Sequence, residues 1–442
     1  MKLENLTFRG GTSMEEYKEL SCDSNPTPMP PTETVILSMS QGIGAPAKPI
    51  VAKGDKVKLG QKIAEAGGFI SAPVHASVSG EVVGIVDILS MGGGKIPAIV
   101  IQNDGLDTVG YEQANRTLEE LSPEDIVQYV KEAGIVGMGG AGFPTCVKLQ
   151  PGKDSPVDTV IINGAECEPY LTCDDVTMRN EPEKVVKGLE LIMKAVGAKQ
   201  GFVAIEDNKP GAIAAIDKVM GNREDIKVGV MKTKYPQGDE KRIITSCTGR
   251  DVPAGALPAS VGCLVENVGT TCAIVDACCY GKPLYERVVT VTGHALNKPQ
   301  NLIIRFGTRI RDAIEYAGGL KEPAGKVIFG GPMMGIAQPT MDGTTCKNNN
   351  GILVLTQDEG NPPPVEPCIR CGRCVDVCPV FLEPLYIATA SKAENWEVAN
   401  DYHCDLCIEC GTCSFICPAN RPLTELIRFG KRQLKSLSQK KA

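Results

Sequence analysis

Eight of the chain's nineteen cysteines fall in two runs of one spacing, and few folds satisfy that spacing twice. Cys368, Cys371, Cys374 and Cys378 form C-x2-C-x2-C-x3-C, closed by Pro379. Cys407, Cys410, Cys413 and Cys417 repeat it, closed by Pro418. In paired runs of this type the first three thiolates wrap one [4Fe–4S] cube and the fourth reaches across to the other. The expected ligand sets are Cys368, Cys371, Cys374 and Cys417 for one cluster, and Cys407, Cys410, Cys413 and Cys378 for the second. A zinc ribbon is the alternative. It usually carries two separated C-x2-C pairs rather than one dense run of four cysteines. Two clusters imply electrons that move singly.

At 442 residues the chain has room for about three to five domains. No apolar run reaches the length of a membrane span. The start, MKLENLTFRGG, lacks the apolar region of a signal peptide, so reduced thiols in a cytoplasm are expected. A net charge of −7 argues against nucleic acid as a partner.

Residues 1–30 are polar and proline-rich and read as an extended arm. Residues 31–112 show short strands punctuated by glycine, such as Thr34–Met39, Gln61–Glu65 and Gly80–Val86, and read as a small all-β sandwich. Residues 113–284 alternate strands and helices. Ser122 and Pro123 open a helix. Strands are expected over Asp158–Asn163, Gly201–Glu206 and Ile226–Lys232, with helices over Pro182–Val196 and Lys209–Met220. This alternation predicts a mostly parallel sheet. Residues 285–357 read as a small α+β module, with strands at Arg287–Thr292, Lys326–Phe329 and Ile352–Leu355 and a helix at Arg309–Ala317. A proline linker leads to the cysteine domain, 362–425. A tail, 426–442, is basic through Arg428, Lys431, Arg432, Lys435, Lys440 and Lys441. Its leucines at helical spacing suggest a docking helix with cations at its C-terminal end; a membrane-surface or partner contact is the alternative.

Four polar, glycine-containing segments stand in or just after the predicted strands of the α/β region. Gly137-Met-Gly-Gly-Ala-Gly-Phe-Pro-Thr145 has glycines that let backbone N–H groups close on a phosphate or ring edge. Lys148 behind it has a charge suited to a phosphate, and Phe143 a ring suited to stacking. The spacing is not the G-x-G-x-x-G dinucleotide fingerprint. The others are Asn163-Gly-Ala-Glu-Cys-Glu-Pro169, Tyr235-Pro-Gln-Gly-Asp-Glu240 and Glu266-Asn-Val-Gly-Thr270. In an open α/β sheet, ligands bind beyond the carboxyl ends of strands, so the four loops read as one pocket. The bland alternative for the acidic segment is a solvated loop.

GMGGAGFPT, NGAECEP, YPQGDE and ENVGT, in this order, resemble the flavin and NADH site of the respiratory complex I flavoprotein. The resemblance implies FMN with NADH over its ring. It places Gly137, Gly139, Gly140, Gly142 and Lys148 at phosphates and Phe143 against the dinucleotide. It places Asn163, Glu166, Tyr235, Gly238, Asp239, Asn267 and Thr270 around FMN, and Glu168 and Glu240 at the NADH ribose or nicotinamide. Val136, Met138, Ala165 and Pro151 depart from that pattern. No protein acid or base is required, since hydride passes between nicotinamide and flavin.

Nearly the whole chain resembles the RnfC family of the Rnf electron-transport complex, through FRGG at Phe8, YKEL at Tyr17, QGIGAPAKPIVAKGDKV, GGFISAPVHASVSGEV, GIVGMGGAGFPTCVKL and both cysteine runs. This implies a multidomain α/β and β chain: a barrel-sandwich-like (biotinyl/lipoyl-like) module, a Rossmann-like FMN/NADH domain, a β-grasp module and an α-helical two-cluster ferredoxin domain. It implies FMN, two [4Fe–4S] clusters and NAD(H). It also implies a peripheral place at the cytoplasmic face of a membrane, with integral membrane proteins and a ferredoxin-like protein of the same complex as partners. Two rivals share parts of the pattern: a microcompartment corrin reductase flavoprotein, and a non-catalytic iron–sulfur relay.

Two features stand outside this reading. A biotinyl or lipoyl carrier needs a lysine on its hairpin tip, and Gly67-Gly68-Phe69 offers none, so the module reads as a structural or docking unit. Cys404 precedes the second run by C-x2-C spacing and reads as spare. Most of the ten scattered cysteines read as core, and an extra metal near Cys167 and Cys173 stays open.

Overall fold

The near-continuous apolar runs Val160–Ile162 and Phe202–Ile205 need cover on both faces, and a parallel sheet between helices supplies it. The computed structural model describes residues 2–89, 94–152 and 154–441, without the side chains of Lys440 and Lys441. Its central sheet is all parallel. In spatial order the strands are Lys2–Leu6, Ile226–Met231, Gln200–Glu206, Thr159–Gly164 and Cys263–Asn267. Val160, Ile162, Val203 and Ile205 face a core shared with the helices Pro182–Val196, Pro210–Met220 and Val268–Tyr280. Ile161, Phe202 and Ala204 face the other way, onto Ile243, Ile244 and Cys247 of the helix Glu240–Thr248.

The strand order reverses at one place. After Thr159–Gly164 the chain adds strands on one side, then returns to lay Cys263–Asn267 on the other. The crevice between those two strands is a topological switch point, where open α/β sheets bind ligands.

The strands and helices expected by range agree with the observed ones to within a few residues. The helix Pro123–Glu132 begins in a capping box between Ser122 and Asp125. The main differences lie at the chain ends. Residues 1–30 do not form a free arm: Lys2–Leu6 is the edge strand of the central sheet, with Leu3 and Leu6 packed on its core. Thr27-Pro28 pairs with Leu302 and Ile303 at the edge of another sheet. The boundary expected at 425/426 falls inside one continuous helix, Leu423–Lys441, because Leu423 and Ile427 belong to the cysteine-domain core. Ala442 and the side chains of Lys440 and Lys441 lie outside the described residues.

The sandwich comprises a four-stranded and a three-stranded sheet over Val35, Leu37, Ile63, Val82, Ile99 and Ile101. The α+β module is a mixed six-stranded sheet with the helix Ile310–Tyr316 packed on it through Ile310, Ala313 and Ile314. The cysteine domain is helical, with Pro384–Lys392 after the first run and Leu423–Lys441 after the second, packed on each other. No described helix is long and apolar enough to cross a membrane.

Candidate functional site

Asn163, one residue before the end of its strand, and Asn267, the last of the other, stand opposite each other in register at the switch point. Asn267 caps the following helix, its Oδ1 accepting from the N–H groups of Gly269 at 2.9 Å and Thr270 at 3.4 Å. The glycine loop lies on this helix start. Gly137 N–H donates to the Phe143 carbonyl at 2.8 Å, closing the loop, and Met138 N–H donates to Thr270 Oγ1 at 2.8 Å. A Cβ on Gly139 would stand 3.0 Å from Asn267 Cβ, so a side chain there would push the loop off the helix. A Cβ on Gly140 would meet nothing within 4 Å, so this backbone is open to a ligand.

Several polar side chains expected at the ligand bond to the protein itself. Lys148 Nζ donates to Glu240 Oε1 and to the Val265 carbonyl, each at 3.0 Å. Asn163 Nδ2 donates to the Gly238 carbonyl at 2.8 Å, and Gly238 N–H to Cys167 Sγ at 3.3 Å. Asp239 caps the helix Glu240–Thr248 by accepting from Arg242 N–H. Glu166 accepts from the N–H groups of Asp174 at 2.7 Å and Asp175 at 3.2 Å, capping the helix Cys173–Asn180. Glu168 accepts from Met333 and Met334 N–H at 3.0 and 2.8 Å, and from Tyr235 Oη at 3.4 Å. Glu168 therefore ties the α/β domain to the α+β module. Burial pushes its carboxyl up to about 7. Phe143 is half-buried beside the open glycines.

Glu266, on the same edge, is buried and pushed up to about 7 by that burial. Its Oε1 has no hydrogen-bond partner among the described residues and lies 3.9 Å from Lys148 Nζ. An open backbone at Gly140, a capped helix start and an unpartnered buried carboxylate oxygen, all at a switch point, fit a flat ligand carrying a phosphate and ring N–H donors.

The cysteine runs resolve into two cavities. One is lined by Cys368, Cys371, Cys374 and Cys417, the other by Cys378, Cys407, Cys410 and Cys413. These donor sets suit a four-iron cube in each. The two runs share local geometry: Arg370 and Glu409 are left-handed at φ 54° and 58°, followed by Gly372 and Gly411 at 77° and 83°. Arg370 N–H donates to Cys368 Sγ at 3.4 Å, and Glu409 N–H to Cys407 Sγ at 3.3 Å. Such N–H···S bonds tune cluster potentials. The tail's cations serve this site. Arg428 and Lys431 pair with Glu409, and Lys431 Nζ also donates to the Cys407 carbonyl. Cys404 lines neither cavity; its thiol points to the Ile427 carbonyl.

Contacts between the α/β side and the cysteine domain gather on one cavity. Arg242 Nη1 donates to the Pro379 carbonyl at 2.9 Å. Gly11 N–H donates to the Val377 carbonyl at 2.9 Å, while Thr12 and Tyr235 exchange backbone hydrogen bonds at 2.8 Å. A Cβ on Gly10 would approach the Cys378 carbonyl to 2.9 Å, and one on Gly411 the Met333 carbonyl to 3.0 Å. The FRGG segment is thus wedged between the Tyr235 loop and the first cysteine run, and its glycines permit that approach.

Sequence reasoning missed two residues that hold the site. Lys18 Nζ donates to the carbonyls of Glu166, Glu168 and Leu171. Arg287 Nη1 donates to those of Met138 and Lys347, joining the glycine loop to the α+β module. Neither stands in a periodic pattern; the YKEL segment alone marked Lys18. Glu166, Cys173 and Asp174 present ligand atoms within 4.8 Å of one another. Cys167 is not in that group. Glu166 is already spent on capping, and Asp174 accepts from Asn267 Nδ2 at 2.7 Å.

Fold and site together define an iron–sulfur flavoprotein-type electron carrier: a parallel α/β domain with a switch-point site, joined to a two-cavity cysteine domain. Known proteins agree. Residues 130–276 match the family model of the Nuo51 FMN-binding domain, and residues 6–106 that of the RnfC barrel sandwich hybrid domain. Residues 288–337 match the SLBB domain, and residues 364–421 the 4Fe-4S dicluster domain. The C subunit of the Na(+)-translocating ferredoxin:NAD(+) oxidoreductase complex of Acetobacterium woodii is 46% identical over 435 residues, covering 98% of each chain. The C subunit of the proton-translocating complex of Clostridium ljungdahlii is 46% identical over 89% of this chain and 86% of its own. The C subunit of the ion-translocating oxidoreductase complex of Rhodobacter capsulatus is 42% identical over 99% and 85%. A chain of an NAD+-reducing [NiFe]-hydrogenase, in its H2-reduced state, shares the fold at TM-score 0.52 and 19% identity. That match covers 73% of this chain and 63% of the hydrogenase chain. The chain belongs to the RnfC family of the ion-translocating oxidoreductase complexes.

Proposed function

We propose that this chain is the NAD(H)-facing member of a ferredoxin:NAD+ oxidoreductase coupled to ion translocation, an oxidoreductase that works as part of a multisubunit complex. It sits peripherally at the cytoplasmic face of a membrane, held by integral membrane proteins and a ferredoxin-like partner. FMN, when bound, would supply hydride exchange with nicotinamide and single-electron transfer toward two [4Fe–4S] clusters held by the eight run cysteines.

The protein's part is binding and positioning. The glycine loop, with the open backbone of Gly140 flanked by Gly137, Gly139 and Gly142, Lys148 behind it and the helix start at Thr270, receives phosphate. Phe143 stacks against the dinucleotide. Asn163, Glu166, Tyr235, Gly238, Asp239 and Asn267 frame the flavin, while Glu168 and Glu240 face the nicotinamide nucleotide. Lys148 and Glu240 would exchange partners as a ligand enters. Cys378, Cys407, Cys410 and Cys413 form the inner ligand set, and Cys368, Cys371, Cys374 and Cys417 the outer one. The working units are 31–112, 113–284, 285–357 and the cysteine domain from 362.

One observation carries this reading: two four-thiol cavities stand beside a switch-point site, the nearer braced by Arg242 at the Pro379 carbonyl. Likeness over the whole chain to RnfC-family relatives favours it over a corrin reductase. Anaerobically purified protein should contain about eight irons, eight sulfides and one FMN per chain, and should reduce a dye from NADH. Clusters without flavin would leave only the non-catalytic relay.

A further inference from the structure

The sandwich module's lysine-free hairpin tip is tied to the glycine loop of the nucleotide site. Gly42 packs so closely on Gly142 that a Cβ on Gly42 would lie 2.3 Å from the Gly142 carbonyl oxygen. The next residue, Ile43, donates its N–H to the Ala141 carbonyl at 2.8 Å. The tip loop is fastened to the same turn. Ala45 N–H donates to the Ile70 carbonyl at 2.9 Å, and Ser71 Oγ donates to the Ala45 carbonyl at 2.8 Å. Gly67 N–H donates to Ser71 Oγ at 2.8 Å.

This rigid turn carries three exposed apolar side chains. Phe69 is 84% exposed, Ile43 55% and Ile70 39%. A phenyl ring left this open on a loop held by several hydrogen bonds marks a contact surface. Its place says which contact: Ile43 is bonded to Ala141, the neighbour of Gly140, whose backbone faces open space. A neutral apolar lip beside an open phosphate-binding backbone suits the flat, uncharged face of a purine.

We propose that Ile43, Phe69 and Ile70 form the adenine platform of the NAD(H) site, so that the sandwich module, having no carrier lysine, supplies a fixed stacking surface to its neighbour domain. This rests on the nucleotide reading above. Phe69 and Ile43 act by contact with the base and take no part in hydride transfer.

The test uses holoprotein under anaerobic calorimetry, titrated with NAD+, ADP-ribose and nicotinamide mononucleotide. In Phe69→Ala, Kd for NAD+ and ADP-ribose should rise about tenfold, while nicotinamide mononucleotide, which lacks the adenosine, binds unchanged. Phe69→Tyr should keep wild-type affinity, and iron and flavin contents should not move. Unchanged ADP-ribose affinity in Phe69→Ala and in the Ile43→Ser, Phe69→Ala double variant overturns the platform alone. Co-purifying membrane proteins lost at unchanged nucleotide affinity would overturn it in favour of a protein contact. Wild-type protein that binds no NAD+ overturns the nucleotide reading itself.

Discussion

The cysteine domain and the switch-point site hold their functional side chains in different ways. In the cysteine domain the eight run cysteines line two cavities, four to each. Their backbone turns repeat from run to run, as the matched left-handed residues Arg370 and Glu409 show. At the switch point most of the polar side chains, Glu266 excepted, already have protein partners: Lys148 with Glu240, Glu166 with a helix start, Glu168 with the Met333–Met334 turn. A thiol has weak competing bonds in a protein, so its place in a dense run signals a metal. Carboxylates and amines have many uses, and residue type alone does not say which one a fold selects.

The strongest blow to this contrast would come through Cys378. It lies in the first run but lines the second cavity. Cys378→Ser should therefore remove about half of the iron and sulfide and abolish the same electron paramagnetic signal as Cys410→Ser. Loss of the signal that Cys371→Ser removes would mean that each run closes on itself.

A smaller effect is expected where the two regions meet. Arg242→Ala deletes the bond to the Pro379 carbonyl and should weaken docking of the cysteine domain by about 1.5–3 kcal/mol. Hydrogen exchange around Val377–Phe381 should speed up, with iron content unchanged. Equal exchange in variant and wild type would show the two regions to be independent.

A third effect, confined to one pH window, concerns Glu168. Burial raises its carboxyl from 4.5 to about 7 in the folded protein. Between those values the native state binds more protons than the unfolded chain, so this group's contribution falls as pH rises from about 4.5 through about 7. Glu168→Gln cannot ionise. Denaturant titrations should show it gaining on wild type by about 3 kcal/mol across that window, with no further change above it. A flat difference would show that the Met333 and Met334 bonds keep Glu168 ionised throughout.

Much of the architecture was legible because hydrophobic period and turn residues are local. Strands such as Lys326–Phe329 and helices such as Pro182–Val196 stand where the pattern put them. Lys2–Leu6 escaped because a polar edge strand has only Leu3 and Leu6 to announce it. Cys173–Asn180 escaped because its buried positions include Asp174, Asp175 and Thr177, which carry no apolar period. In the candidate site, the four loops were legible as glycine-bearing segments near strand ends. Their convergence was expected from the rule that ligands bind beyond strand ends; which strands lie side by side was not, since it depends on a strand order that brings Asn267 beside Asn163 across about a hundred residues of chain.

By itself the sequence determined the two cysteine turns, the parallel α/β character of the middle and the loops able to hold a phosphate. Each follows from short-range sterics and hydrophobic period. Only the tertiary structure decided which carboxylates cap helices or join domains, and that the sandwich tip with Phe69 is fastened to the glycine loop. Those outcomes hang on close backbone approaches such as Gly42 on Gly142 and Gly10 on Cys378. Such contacts join residues far apart in the chain, and no local pattern records them.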